Sequence, residues 1–106
     1  AEALPGQRAH LAVCSCLVLR DAMYAYLRCN TPPMRKNALD TANHIVALVS
    51  AALVDSPRQQ AVELQRCLGV YQALGEMGAL EDVVKRINAA CQRAGLSRKQ
   101  VEDMVE

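Results

Sequence analysis

DSPRQQAVELQRCLGVYQALGEMGALEDVVKRINAACQRAG, residues 55–95, decides the fold. Asp55-Ser56-Pro57 is a break followed by a helix start. Ser56 suits the N-cap, Pro57 the first helical position, and Gln59 stands three residues after Ser56, as in a capping box. Val62, Cys67, Val70, Tyr71 and Leu74 then recur at helical spacing, which predicts a helix over Pro57 to Leu74. Gly75-Glu76-Met77-Gly78 reads as a short turn. Leu80, Val83, Val84, Ile87 and Cys91 predict the inner face of another helix over Ala79 to Ala94, and Gly95 sits where a left-handed C-terminal cap belongs. The pair loosely resembles one tetratricopeptide hairpin, but such repeats need several copies to bury a core.

The same logic extends outward in both directions. Ser97-Arg98-Lys99-Gln100 is a second capping box and opens a short last helix docked by Val101, Met104 and Val105. Upstream, Ala38, Ala42, Ile45, Val49, Ala52 and Leu53 predict a helix over Met34 to Val54. Asn30-Thr31-Pro32-Pro33 separates it from a first helix over Gln7 to Arg28, because neither proline donates a backbone hydrogen bond. The apolar surface of that first helix is broad, which places it at the centre of the bundle. Residues 1–6 read as a loose arm. The expected fold is all-α, a single domain of four to five helices.

Composition narrows the function. The chain has 106 residues, enough for one domain. It has no Phe or Trp, so the core is built from Leu, Val, Ala, Met and Cys with Tyr24, Tyr26 and Tyr71 as the aromatics. Twelve basic and eleven acidic residues leave a net charge of +1, which argues against nucleic acid as a partner, since that needs a dense basic face. The run Leu11 to Leu19 is too short to span a bilayer. The opening Ala1-Glu2-Ala3 suits a chain left by signal-peptide removal, and equally a trimmed one.

Catalytic groups are sparse. His10 and His44 are the histidines, and His44 with a cysteine is the nearest approach to a nucleophile pair. Nothing in the sequence supplies an oxyanion site. Glu81, Asp82, Glu102, Asp103 and Glu106 read as solvated faces. The chain is expected to be no enzyme and to carry no metal or cofactor.

Five cysteines stand out: Cys14, Cys16, Cys29, Cys67 and Cys91. They lack Cys-x-x-Cys spacing. On a helix Cys14 and Cys16 point about 200° apart, so one faces the interior. A bridge from the first helix to the third would close a loop of about fifty residues and stabilise by about 3–4 kcal/mol in the chain-entropy model. Cys29 and Cys91, near helix C-termini, could form a second. The alternative is that all five are small buried residues in a reducing compartment. The loops left for a partner are Asn30 to Arg35, with Thr31 between, and Gly75 to Gly78, where Glu76 and Met77 form the tip.

Two segments carry a resemblance: Ala12-Val13-Cys14-Ser15-Cys16-Leu17, and Gln65-Arg66-Cys67-Leu68-Gly69-Val70-Tyr71 followed by a turn and a helix. Together they resemble the helical immunity proteins of type VI secretion amidase effectors, the Tai group. The resemblance implies a periplasmic, all-helical inhibitor, often a homodimer, whose partner is a cognate peptidoglycan amidase that it plugs. It also implies that Cys16 and Cys67 are the structural pair. The extra cysteines, the Pro32-Pro33 break and the C-terminal extension depart from that pattern. The runner-up is a cytosolic helical adaptor or secretion chaperone with reduced cysteines.

Overall fold

The computed structural model describes residues 5–105, and side chains from His10 to Val105. Among them run five helices: α1 (Pro5–Cys29), α2 (Pro32–Ala52), α3 (Pro57–Leu74), α4 (Met77–Ala94) and α5 (Arg98–Val105). The all-α bundle is as expected. Helix ends differ from the sequence reading by a few residues. Pro5 and Gly6 are helical, and Ala1 to Leu4 lie outside the described residues. The prolines at 32 and 33 do not delay α2. They occupy its first turn, where no intrahelical donor is required, behind an N-cap at Thr31.

The two capping boxes fare differently. At the start of α5, the Ser97 amide donates to Gln100 Oε1 at 2.8 Å and the Gln100 amide to Ser97 Oγ at 3.2 Å. At the start of α3, the Ser56 hydroxyl makes no capping bond. Its ψ of 68° departs from the extended 156° of Thr31, so its side chain is not aimed at the first turn.

Helices pack on their sequence neighbours: α1 on α2, α2 on α3, α3 on α4, with α5 against α3 and α4. This corrects the placement of the first helix. The centre is α3, which buries Ala61, Leu64, Cys67, Leu68, Val70 and Tyr71, whereas α1 is an edge helix. It reaches α3 through side chains, notably Arg20 to Glu63 at 3.8 Å. The core runs from Cys16 and Met23 through Ile45 and Val49 to Val83, Ile87 and Val101.

Polar side chains pin the layers. Gln60, 4% exposed, donates to the Val49 carbonyl at 3.2 Å and the Ser50 carbonyl at 3.3 Å, and so satisfies the end of α2. Its own carbonyl accepts from Arg93 of α4. The Tyr71 hydroxyl donates to Asn43 Oδ1 at 2.6 Å, tying α3 to α2. Burial holds this phenol well above its usual range. No helix among the described residues is long and apolar enough to cross a membrane.

Candidate functional site

Ala73, near the end of α3, lines one hollow with Tyr24, Asn30 and Arg35, which brings the α1–α2 connection and the start of the α3–α4 connection to the same end of the bundle. The first is Asn30-Thr31. The chain must turn sharply there, and Asn30 does so at φ 50°, a left-handed conformation that asparagine tolerates better than most residues. Its Oδ1 accepts from Arg35 Nη1 at 2.9 Å. Thr31 Oγ1 accepts from the Met34 amide at 3.4 Å, and the Arg35 amide donates to the Thr31 carbonyl at 2.8 Å. The loop from Asn30 to Arg35 is thus a capped corner.

The second connection is Gly75-Glu76. Gly75 takes φ 72°, its amide donates to the Gln72 carbonyl at 3.2 Å, and the Glu76 amide reaches the Tyr71 carbonyl at 3.0 Å. This is a Schellman closure, which glycine permits because it has no Cβ to clash. One left-handed residue suffices to reverse the chain, so α4 starts at Met77. The four-residue turn read from the sequence is therefore shorter: Met77 and Gly78 belong to the helix. Met77 is 59% exposed at its tip, beside exposed Glu76.

Beside the first connection lies a hollow of about 590 Å³, lined by Tyr24, Leu27, Arg28, Asn30 and Arg35 and, from near the end of α3, by Ala73. The structure thus gathers at one end Asn30, Thr31, Arg35, Gly75, Glu76 and Met77, which the sequence singled out as two unrelated loops. It adds Tyr24, Leu27, Arg28 and Ala73, which sequence reasoning missed. The signal was present in part: Tyr24 and Arg28 are one helical turn apart at the end of α1. The hollow combines an aromatic face, an aliphatic wall and two guanidinium groups, a composition suited to a protein surface.

A larger groove of about 840 Å³ opens at the far end, lined among others by Pro57, Glu63, Arg66, Arg93 and Met104. Three of its charged side chains, Glu63, Arg66 and Arg93, are engaged structurally. Arg66 donates to the Val105 carbonyl at 3.3 Å and lies 3.8 Å from Glu63, and Arg93 holds Gln60. It reads as the seam between α3, α4 and α5.

The expected disulfides are not formed, and all five cysteines are free thiols. Cys29 and Cys91 are not a pair. Cys29 is exposed at the C-terminal end of α1 and Cys91 is buried near the C-terminal end of α4, and α1 packs on α2 whereas α4 packs on α3 and α5. Cys16 and Cys67 are different. Both are 1% exposed and lie in one core cluster. Burial pushes Cys16 up to about 11. It pushes Cys67 up to about 12, with the Cys16 charge adding to the effect. They are inert, protonated neighbours in this state. The imidazole within reach of a thiol is His10, not His44, which is exposed on α2: His10 Nε2 lies 3.7 Å from Cys14 Sγ. No group of three or more His, Cys, Asp or Glu side chains converges among the described residues.

No protein-family model matches this chain, and neither a curated protein nor a solved structure is similar to it.

Proposed function

We propose that this chain is a protein-binding module that acts by steric occlusion, its loop end entering a cleft of its partner. One observation carries the reading: the capped Asn30 connection borders a mixed hollow that Ala73, near the end of α3, also lines, and the tightly closed Gly75-Glu76 connection two residues further on leaves Met77 exposed. Preformed corners lose little conformational entropy on binding, which favours a plug over an adaptable loop. The resemblance in the first and third helices makes the partner a type VI secretion peptidoglycan amidase, and the setting the periplasm. There the neighbouring Cys16 and Cys67 would be the pair to oxidise.

The test is peptidoglycan hydrolysis by such an amidase, titrated with the chain. Stoichiometric inhibition is expected. Replacing Glu76 and Met77 together with Ala should weaken inhibition at least tenfold and leave helicity unchanged, since both side chains are exposed. Inhibition that survives the double substitution sinks the loop assignment, and no inhibition of any such amidase sinks the immunity reading.

Burial of Cys16, Cys67 and Cys91 in the apolar core suits a second reading, a cytosolic adaptor or secretion chaperone in which they serve as small apolar residues. The same loop end would then hold a partner other than a cell-wall enzyme. Thiol alkylation of protein made with and without export separates the two.

A further inference from the structure

As the edge helix, α1 turns an unusual surface outward. Leu11, Leu17 and Val18 are 59%, 46% and 71% exposed, and Cys14 is exposed among them. At 100° per residue, His10, Cys14, Leu17 and Val18 fall within a sector of about 100° on one side of the helix. This surface is separate from the loop end: Cys14 lies about 20 Å along the helix from Cys29.

His10 and Cys14 are one turn apart, the spacing that sets two metal ligands side by side on a helix. Their donor atoms, Nε2 and Sγ, are 3.7 Å apart. In a tetrahedral zinc site, with Zn–N of about 2.05 Å and Zn–S of about 2.3 Å, the nitrogen–sulfur edge is about 3.6 Å. In the metal-free chain this contact is a thiol–imidazole hydrogen bond, and its length is also the separation that one zinc ion requires. The pair supplies two ligands where zinc takes four, and no third His, Cys, Asp or Glu converges on it among the described residues.

A second copy supplies what is missing. In a two-fold dimer a surface meets itself, so ligands near the axis appear twice. Two copies of His10 and Cys14 make a Cys₂His₂ set. The same contact covers Leu11, Leu17 and Val18 of both chains. The apolar patch is on the order of a few hundred Å² a side, below the roughly 800 Å² per partner of a standard interface. A dimer resting on burial alone would be weak, and a shared ion supplies the rest.

We propose that the outer face of α1 is an interface between two copies of this chain, closed by one Zn²⁺ ion held by His10 and Cys14 of each. Binding converts both Cys14 thiols to thiolates and releases their two protons to solvent.

The experiment uses the tag-free chain in a phosphine reductant, with zinc chloride as the probe. Light scattering after size exclusion should show the mass doubling with zinc and returning with EDTA. Metal analysis should give one zinc per two chains. Cobalt in place of zinc should give the strong visible absorption of a tetrahedral thiolate site. His10→Ala and Cys14→Ser should each abolish the zinc-dependent dimer and the cobalt band. Circular dichroism should be unchanged in both, because the two side chains are exposed. A chain that stays monomeric with zinc overturns the proposal. So does a dimer that persists in EDTA, zinc bound one to one, or zinc retained by Cys14→Ser.

Discussion

Helices α1 and α4 are both long and both carry buried cysteines, yet they meet water in opposite ways. α4 buries Val83, Ile87, Ala90 and Cys91 and presents Glu81, Asp82, Lys85, Arg86, Asn88 and Gln92 outside. Its exposed face is tied by an Arg86–Asp82 ion pair at 2.8 Å. α1 buries Ala12, Cys16 and Met23 and presents Leu11, Cys14, Leu17 and Val18. One helix is finished against solvent and the other is not. A broad apolar surface on a helix can therefore mean either a central position or an edge that awaits cover. Periodicity alone does not separate these, because it counts apolar faces without saying how many neighbours exist to bury them.

The sharpest way to break this contrast is to truncate one residue from each face. Ile87→Ala, at a site with no exposure, should cost about 2–5 kcal/mol in urea unfolding. Val18→Ser, in the zinc-free chain, should stay within about 0.5 kcal/mol. Equal losses would mean that the outer face of α1 is buried in the free chain, and the comparison fails.

Two cysteines of α1 report its two faces. At about pH 8 Cys14 and Cys29 should react with iodoacetamide in the folded chain, while Cys16, Cys67 and Cys91 should react only after unfolding. The sign of the pH effect follows. Unfolded thiols titrate near 9, whereas burial holds Cys16 to about 11 and Cys67 to about 12. Above pH 9 the unfolded chain loses protons first, so stability is full below that pH and falls as pH rises through 11 to 12. The Cys16 contribution alone is on the order of 2–3 kcal/mol. Urea midpoints at about pH 8 and about pH 10.5 check it, and Cys16→Ala should reduce the dependence without abolishing it, because burial still holds the Cys67 thiol up.

Much of the fold was legible. Five helices follow from apolar spacing and from the punctuation at Pro32-Pro33, Ser56-Pro57 and Gly95, because these act within a turn or two of the chain. The Ser97–Gln100 box was legible for the same reason. The Ser56–Gln59 box was misleading, since Ser56 arrives with ψ 68° in a turn whose Leu53 carbonyl accepts from the Ser56 amide, a backbone setting that the four residues of the box do not specify. The site was only half legible. Asn30 and Glu76 are readable as connection residues, but Met77 belongs to α4, and the meeting of Ala73 with Tyr24 and Asn30 around one hollow requires the tertiary arrangement. The cysteine pairing failed at Cys29 and Cys91, where proximity to a helix end says nothing about which helices pack on one another.

The smallest effect concerns how the chain leaves α4. Ser97→Ala should cost about 1 kcal/mol, because it removes a hydroxyl that caps α5. Ser56→Ala should cost less than about 0.5 kcal/mol, because that hydroxyl caps nothing. Thermal melts of the two variants side by side decide it, and equal shifts would show that the cap hydrogen bond is not what Ser97 contributes.

Neighbour-on-neighbour packing also sets an order of events at the ribosome. Local contacts favour rapid assembly, so the α1–α2 hairpin can close as soon as it emerges. It then stands with apolar residues on both sides: Cys16 and Ile45 waiting for α3, and Leu11 and Val18 facing outward. Only the arrival of α3, with Arg20 meeting Glu63, closes the first side. The half-made chain is thus at its stickiest midway through synthesis, before its central helix exists.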